Sequence, residues 1–363
     1  MSALASSPGL ADKGLADKGL ADMGLTDPAV RDVGADQIAP GLRVSEIGLG
    51  ANVTATAASP AGGIAGLGDG RVVRIVEGGA EEIARHDAAV VSLSALGDGR
   101  VVSAGQDGRV LLSGRRAPVT LFDAKGEWIN ACVVHEKARQ VAAAYGRTVV
   151  LIDDDGVRGR FSEHPSTVSG LGFSPTGDRL AASRYDGVSL WTTNDLAAPT
   201  TLPWKGSMLS AVWSPDGRWI VGATQDRELH VWDLLEDKDY RLGGFRAKVR
   251  GVGWTGDSAR LVCTGADVIA AWPIAGRPGA FPPVEIGYVC EGVVTAIAAG
   301  GPSDRIAGGF SNGAILIGDA RSGVAMIARA AQEAEITSLA WSPSYDRLYY
   351  GARDGAAGEI ALA

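Results

Sequence analysis

The sequence predicts an all-β fold of the β-propeller type, built from eight four-stranded blades. A segment of about forty residues recurs along the chain and is clearest at Phe173–Trp191 and Trp213–Trp232. Each copy contains three short apolar strands separated by turns, and a fourth short segment leads to the next copy. Repeats of this length, with turn residues at fixed offsets, are typical of propeller blades. Glycine accounts for 51 of the 363 residues, as frequent tight turns require.

The number of blades follows from the first strand of each repeat, which begins with a large apolar residue. Eight such residues occur about forty positions apart: Val53, Val90, Ile129, Val168, Met208, Val249, Val294 and Ile336. Eight starts predict eight blades. Seven blades remain an alternative, because the first and third repeats diverge most from the pattern.

The two ends of the repeat region predict how the ring closes. The chain stops within a third strand, so the last blade lacks its outer strand. Upstream of the first repeat, Leu42–Gly48 has the alternation of a strand but no blade of its own. Pairing this strand with the last blade closes the ring and leaves no open strand edge.

The residues before the repeats form a separate region, which gives two predicted parts: 1–40 and the propeller at 41–363. Gly9–Asp27 is a five-residue repeat that places leucine at positions 10, 15, 20 and 25. A period of five matches neither the helical period of 3.6 nor the strand period of 2, so no continuous apolar face forms. Recurrent glycine raises the entropic cost of ordering. We therefore expect a disordered, low-complexity tail.

Composition limits the classes of partner and compartment. The net charge of −8 argues against a general nucleic-acid or membrane-surface binder, and no apolar run is long enough for a transmembrane helix. Three cysteines occur singly, at 132, 263 and 290, so neither a zinc site nor a disulfide framework is indicated. Without a signal peptide, this pattern indicates a reducing compartment, and we expect a cytoplasmic protein whose propeller is monomeric by itself.

Several repeats carry a histidine, a hydroxyl residue, an aspartate and a tryptophan at recurring positions. The fourth repeat has His164, Ser183, Asp186 and Trp191, and the fifth has Thr224, Asp226 and Trp232, with Trp232–Asp233 as a terminal Trp-Asp pair. The second repeat has only His86 and Asp107. On these residues the chain resembles the WD-repeat family, over roughly residues 42–363.

The resemblance implies that these residues form a hydrogen-bonded structural tetrad within a blade. A His, a Ser and an Asp in one unit could be mistaken for a hydrolase triad, but their placement at repeated framework positions favours a structural role. We predict that His164→Ala lowers the midpoint of thermal unfolding without altering any chemistry.

Motifs that carry chemistry are absent from the sequence. It contains no HExxH and no phosphate-binding loop ending in GK[ST], and its one GxSxG match, Gly309–Gly313, lies at the turn between the second and third strands of a repeat rather than in a strand-to-helix elbow. The acidic run Asp153–Asp155 follows a strand, and a solvated turn explains it better than a calcium site. We therefore predict no catalytic residue, no metal and no cofactor.

The resemblance also indicates where a partner would bind, since WD-repeat propellers commonly use the loops before each first strand and the turns after each second strand. Framework packing does not dictate the residues there, and aromatic and arginine side chains are frequent interface anchors. The candidates at these positions are Trp128, Tyr145, Tyr185, Lys248, Arg353, Gln106, Gln225 and Glu335.

These observations predict a non-catalytic scaffold or adaptor that holds one or more partner proteins on its loop face. Two alternatives remain open. The first is a propeller enzyme or small-ligand binder that uses the central channel. The second is a constitutive subunit of a larger assembly whose N-terminal segment orders on contact.

Overall fold

The computed structural model describes residues 39–76, 79–114, 116–162, 164–195, 198–287 and 292–362. The predicted N-terminal tail therefore lies outside the described residues, except for its last two positions, Ala39 and Pro40. Throughout the described ranges the regular secondary structure is β-strand. Within them, no helix is long and apolar enough to cross a membrane.

The strands form eight antiparallel sheets, which are the eight predicted blades. β1 (Leu42–Gly48) comes first in the chain and belongs to the last blade. Blades 1 to 4 follow in chain order: β2 (Val53–Ser59), β3 (Gly62–Leu67), β4 (Arg71–Val76) and β5 (Gly79–Arg85); β6 (Val90–Ala95), β7 (Val101–Gly105), β8 (Arg109–Ser113) and β9 (Val119–Asp123); β10 (Ile129–His135), β11 (Gln140–Tyr145), β12 (Thr148–Asp153) and β13 (Gly156–Phe161); β14 (Gly170–Phe173), β15 (Arg179–Thr192) and β16 (Thr200–Ser207).

Blades 5 to 8 complete the ring with the same antiparallel order. Their strands are β17 (Val212–Trp213), β18 (Trp219–Ala223), β19 (Leu229–Asp233) and β20 (Lys238–Leu242); β21 (Val252–Trp254), β22 (Arg260–Cys263), β23 (Ile269–Pro273) and β24 (Val284–Ile286); β25 (Val294–Ala298), β26 (Arg305–Phe310), β27 (Ile315–Asp319) and β28 (Ala325–Arg329); β29 (Ile336–Trp341), β30 (Arg347–Ala352) and β31 (Ala356–Leu362).

Blade 4 differs because β15 takes the place of both its second and its third strand. The chain reverses within β15 at Asp186 and Gly187, whose φ angles are 63° and 125°. The Thr193 N–H donates to the Asp178 carbonyl at 2.9 Å, which pairs the two ends of the reversal. Two successive residues with positive φ are the geometry of a two-residue hairpin turn. Blade 4 therefore also contains four strand segments.

The ring closes as the sequence predicts, through the N-terminal strand. β1 pairs antiparallel with β31 over seven residue pairs, from Leu42 opposite Leu362 to Gly48 opposite Ala356. At the centre of the ring, the Thr337 hydroxyl of the last blade donates to the Val53 carbonyl of the first at 2.6 Å. The outer and inner strands of the last blade are thus both held by the N-terminal part of the propeller.

A recurring hydrogen bond links neighbouring blades around the channel. The residue after the apolar start of a first strand donates to the carbonyl of the apolar start residue in the next blade, from Asn130 to Val168 at 3.3 Å and from Thr295 to Ile336 at 2.7 Å. In five blades a register shift falls at this residue. A β-bulge there turns the side chain out of its own ladder and towards the next blade.

The first strands of blades 4 to 6 begin later than the sequence predicts. Their ladders start at Gly170, Val212 and Val252, two to four residues after the predicted starts at Val168, Met208 and Val249. All three of the predicted residues are nevertheless fully buried. They pack as inner anchors even though they do not lie in a regular ladder.

The hydrophobic core lies between blades. Val102 and Val110 of blade 2, for example, share one buried cluster with Ile129 and Val141 of blade 3. A single blade buries only part of its apolar surface, so each depends on its neighbours for stability. This rigid ring positions the loops at its two faces.

Candidate interaction face

The two kinds of loop position that the sequence indicates lie side by side. In four blades the backbone N–H of the residue before the turn aspartate or its equivalent donates to the carbonyl of the residue before the first strand: Gln106 to Ala89, Gln225 to Ser207, Ser311 to Val293 and Arg353 to Glu335, at 2.9 to 3.0 Å. In an antiparallel blade, the loop before strand 1 and the turn between strands 2 and 3 are at the same end. We call this end the loop face.

Trp128 and Tyr185 are the most exposed aromatic candidates on the loop face. They lie at blades 3 and 4, and 64% and 52% of their surfaces are exposed. Trp128 precedes β10, and Tyr185 lies at the hairpin turn of β15, where its backbone N–H donates to the Ser166 hydroxyl at 2.8 Å. The backbone under Tyr185 is therefore fixed while its ring faces solvent.

Tyr145 is held by its own blade and its neighbour. Its ring packs against Phe122 at a centroid separation of 5.6 Å, and Arg160 donates to its hydroxyl at 3.2 Å. It also packs against the buried cluster shared by blades 2 and 3. Tyr145 would therefore offer a partner only the edge of its ring, because the ring does not project into solvent.

Four of the five polar candidates are exposed, Glu335 is half-buried, and four of the five pair with each other. Lys248 donates to the side-chain oxygen of Gln225, and Arg353 forms an ion pair with Glu335, with Nε 2.8 Å from the carboxylate. Gln106 is exposed at the turn of blade 2. Exposed pairs of this kind contribute little to stability, and a partner would have to exchange them for its own contacts.

The most complete His–Ser–Asp arrangement lies in blade 2, where the sequence indicates only two members. His86 is 1% exposed, with Nδ1 2.9 Å from Asp107 and Nε2 2.9 Å from the Ser103 hydroxyl. Asp107 also accepts from the backbone N–H groups of Asp87 and Arg109 at 3.1 Å. The pairing of atoms is that of a hydrolase triad, but Ser103 is fully buried and cannot reach a substrate. The arrangement serves the structure of the blade.

The charges of this cluster are fixed by its hydrogen bonds. Burial opposes ionisation of Asp107, but hydrogen bonds from His86, from the backbone N–H groups of Arg109 and Asp87, and from the Arg109 side chain lower its pKa to about 2. Burial lowers the pKa of His86, although Asp107 acts in the opposite direction. A neutral imidazole therefore bridges a carboxylate and a hydroxyl.

In blade 4 the structure joins only two of the four residues that the resemblance groups together. The Trp191 indole N–H donates to His164 Nε2 at 3.3 Å, and His164 Nδ1 donates to the Arg147 carbonyl at 3.0 Å. Asp186 is exposed in the hairpin turn and accepts from the Gly206 N–H. Because this turn is one residue shorter than in blade 2, its aspartate does not reach the histidine.

The predicted hydroxyl members of the tetrad in blades 4 and 5 do not lie where the hydroxyl lies in blade 2: Ser183 is one residue and Thr224 two residues beyond that position. In blade 2 the hydroxyl lies four residues before the aspartate, a position held by Ala182 and Gly222 in these blades. Ser183, three residues before Asp186, faces the other side of its strand and donates to the Gly170 carbonyl at 3.3 Å. Thr224 donates to the Glu228 carbonyl and accepts from the Asp226 N–H, so Thr224 and Asp226 stabilise the turn between the second and third strands of blade 5.

Blade 5 contains a stack of aromatic rings that sequence reasoning missed. The His230 ring lies between Trp204, stacked at 3.8 Å between centroids, and Trp232, at 4.4 Å. Burial lowers the pKa of His230 to about 4, although the Asp239 carboxylate, 3.6 Å from Nε2, acts in the opposite direction. The alternation of β19 suggests an outward side chain at this position, and only the packing of Trp204 from the neighbouring blade buries it.

The described residues contain no cluster of three or more His, Cys, Asp or Glu side chains placed to hold a metal ion. Asp153 and Asp154 form ion pairs with Arg158 and Arg139, at 3.9 Å and 2.6 Å. Their carboxylates are occupied as surface charges. The prediction that no metal or cofactor is needed stays a prediction.

The chain is similar to known proteins in sequence over part of its length. The model for the WD domain, G-beta repeat family matches residues 157–191 and 200–233. The chain is 34% identical over 102 residues to chromatin assembly factor 1 subunit FAS2 homolog of Oryza sativa subsp. japonica, a match covering 26% of this chain and 20% of that protein. It is 32% identical over 110 residues to COMPASS component SWD1 of Saccharomyces cerevisiae, covering 28% and 25%. The matches thus span a fifth to a quarter of these relatives.

Solved structures extend the likeness in fold to most of the chain. A chain in the crystal structure of the Mitotic Checkpoint Complex aligns with a TM-score of 0.62 at 17% identity, covering 75% of this chain and 88% of that one. The computationally designed Ika8 protein aligns with a TM-score of 0.69 at 20% identity, covering 87% and 98%. The chain is therefore an eight-bladed β-propeller, and its repeats at residues 157–191 and 200–233 match the WD domain, G-beta repeat family.

Proposed function

We propose that this propeller is a non-catalytic scaffold that binds a partner protein on its loop face, with Trp128 and Tyr185 as anchors. The observation that carries the proposal is that both aromatic rings project from loop positions of adjacent blades, exposed by 64% and 52%. Burying such rings is a large source of binding free energy, and tryptophan and tyrosine are enriched among the residues that dominate interfaces.

Packing within the propeller does not explain these two rings. Tyr145, at an equivalent turn, packs into the core between blades, whereas neither Trp128 nor Tyr185 belongs to a buried cluster. A single exposed aromatic residue is ordinary. Two on the same face, on neighbouring blades, make a surface that a partner can cover at once.

The mechanism is rigid presentation. The ring fixes the backbone beneath each loop, as the hydrogen bond from the Tyr185 N–H to Ser166 illustrates. A surface that is already ordered loses little conformational entropy on binding, so more of the contact free energy appears as affinity. The polar pairs Lys248–Gln225 and Arg353–Glu335 lie at other blades, and we expect them to contribute to specificity more than to affinity.

The relatives support a role in protein assemblies at a coarse level. One is named as a subunit of chromatin assembly factor 1, and the other as a component of COMPASS. Because the matches cover only part of each, they support binding to proteins in general. They do not identify the partner of this chain.

Affinity purification from cells that produce the protein, followed by mass spectrometry, tests the proposal. We expect partner proteins to copurify with the parent chain and to be lost with Trp128→Ala/Tyr185→Ala. The control is Val119→Ala, because Val119 is 57% exposed but begins β9, the outer strand of blade 2, at the end away from the loop face. Recovery of the same partners with the double variant would contradict the assignment of the loop face, and recovery of none with any chain would favour a small ligand in the channel.

A further inference from the structure

Exposed apolar side chains recur in one kind of connection at the outer edge of blades 5 to 7. Leu235, Phe281 and Val324 are exposed by 77%, 64% and 70%. Each lies in the connection between the third and fourth strands of its blade, in blades 5, 6 and 7 respectively. Met326, the second residue of β28, is 39% exposed. We call these four residues the apolar rim.

Contacts between blades place two of these connections against the outer strand of the preceding blade. The Gly287 N–H of blade 6 donates to the Gly323 carbonyl at 3.1 Å, so the connection bearing Val324 lies against blade 6. At Gly279 a Cβ atom would lie 3.0 Å from Leu242 Cδ2, so the connection bearing Phe281 lies against the outer strand of blade 5. An apolar row along three successive blades is more than the scattered exposure of a normal surface.

Ala39, the first described residue, lies beside this rim. The Ala39 N–H donates to the carbonyl of Ile327 in β28 at 2.9 Å. Ile327 directly follows Met326 and is three residues from Val324. The residues before Ala39 therefore begin at the blade 7 end of the apolar rim.

The length of this segment is sufficient to follow the rim. Thirty-eight residues at about 3.3 Å each can extend over roughly 120 Å. A compact domain of this size has a radius of gyration of about 20 Å. The segment is thus long enough to reach the apolar rim in blades 5 to 7.

The composition of residues 1–38 is suited to contacts with apolar side chains that are separated from one another along the rim. Its leucines at 10, 15, 20 and 25 are each preceded by glycine and followed within three residues by charged side chains. In an extended chain they are about 16 Å apart, and the glycines let each one turn independently. The same spacing that prevents a continuous apolar face is suited to one anchor per blade.

We propose that residues 1–38 bind along the apolar rim of their own propeller, with the repeated leucines contacting Val324, Phe281 and Leu235. The segment then covers a surface that would otherwise be open to other proteins. This inference concerns the outer edge of blades 5 to 7 and does not depend on the proposed partner site.

Site-specific photocrosslinking of the full chain tests the inference. p-Benzoylphenylalanine at position 324 or 281 should crosslink to peptides from residues 1–38, with a yield that does not change on dilution. The matched control is position 157, because Val157 is 44% exposed at the start of an outer strand in blade 3, far round the ring. Leu10→Ser/Leu15→Ser/Leu20→Ser/Leu25→Ser should abolish the crosslinks while leaving the unfolding midpoint of the propeller unchanged.

Two results would overturn the inference. One is crosslinking from position 324 that never reaches residues 1–38. The other is crosslinking that falls in proportion to dilution and joins isotopically light chains to heavy ones, which would make the rim an interface between two copies of the chain.

Discussion

Arg329 and Glu46 are 283 positions apart in the sequence and form an ion pair where the ring closes, with Arg329 Nε 3.0 Å from a Glu46 carboxylate oxygen. The same oxygen accepts from the Tyr350 hydroxyl at 2.6 Å. Arg329 is 2% exposed and also donates to the Gly313 carbonyl at 2.6 Å. β1, the outermost strand of the last blade, is therefore held to blade 7 by an ion pair and to β31 by backbone hydrogen bonds.

Glu46→Ala should destabilise the propeller by about 3 kcal/mol or more, because it leaves the buried Arg329 guanidinium without its counter-charge. Chemical denaturation measures the loss. Glu46→Ala/Arg329→Met should be more stable than Glu46→Ala, since the second change removes the uncompensated charge. A double variant less stable than the single one would contradict the importance of this ion pair.

The aspartates of two equivalent turns should respond differently to the same change. Asp107→Asn should lower the free energy of unfolding by about 1–3 kcal/mol, because charge-assisted hydrogen bonds to His86, Asp87 and Arg109 weaken. Asp186→Asn should change it by less than about 0.5 kcal/mol, because this exposed carboxylate accepts only from the Gly206 N–H among the contacts described. Equal losses would mean that blade 4 also has a complete tetrad.

The aromatic stack of blade 5 predicts a dependence of stability on pH. The pKa of His230 is about 4 in the folded protein, below its ordinary 6.5, so the unfolded chain binds the proton more tightly. Its stabilising contribution is complete above about pH 6.5 and is lost as the pH falls towards 4. His230→Phe keeps an aromatic ring between Trp204 and Trp232 and should reduce this acid-side loss. The test is to measure the free energy of unfolding of the parent protein and of His230→Phe at about pH 7 and about pH 4.5. An equal loss of stability between the two pH values in both proteins would contradict the prediction.

The junction of the first and last blades should tolerate no added volume. A Cβ at Gly351 would lie 2.2 Å from Val53 Cγ1, so Gly351→Ala should destabilise the protein by about 1–3 kcal/mol. Val53→Ala removes the Cγ1 overlap and leaves only the 2.7 Å approach to its Cβ, so the double variant should lose less than the sum of the two single losses. Gly79→Ala serves as the control, because a Cβ at that position would meet nothing within 4 Å. Strictly additive losses would rule out the steric explanation.

The repeat by itself determined the fold. Eight apolar anchors about forty residues apart predict eight blades, and the unmatched strand at Leu42–Gly48 predicts the closure, because both patterns are periodic and visible locally. The apolar character of Val168, Met208 and Val249 correctly predicts that they are buried inner anchors. Their strand boundaries were less predictable, since the ladder begins only where the neighbouring strand supplies partners.

The details of the site depended on the tertiary structure. Side chains alternate between the two faces of a strand, so an error of one residue moves a side chain to the other face. Ser183 has the residue type that the tetrad requires, but it points away from His164 for this reason. Whether a loop residue remains exposed depends on distant residues: Tyr145 meets Phe122 and Arg160, whereas Trp128 projects into solvent.

The sequence of this protein therefore determined its blade count, its inner anchors and the loop positions at which a partner could bind, because each follows from a short-range period. Only the tertiary structure decided that Glu46 meets Arg329, that Trp128 and Tyr185 are the projecting rings, and that Ala39 lies beside the apolar rim. These relationships join residues from different blades, and no periodic pattern along the chain encodes the distance between them.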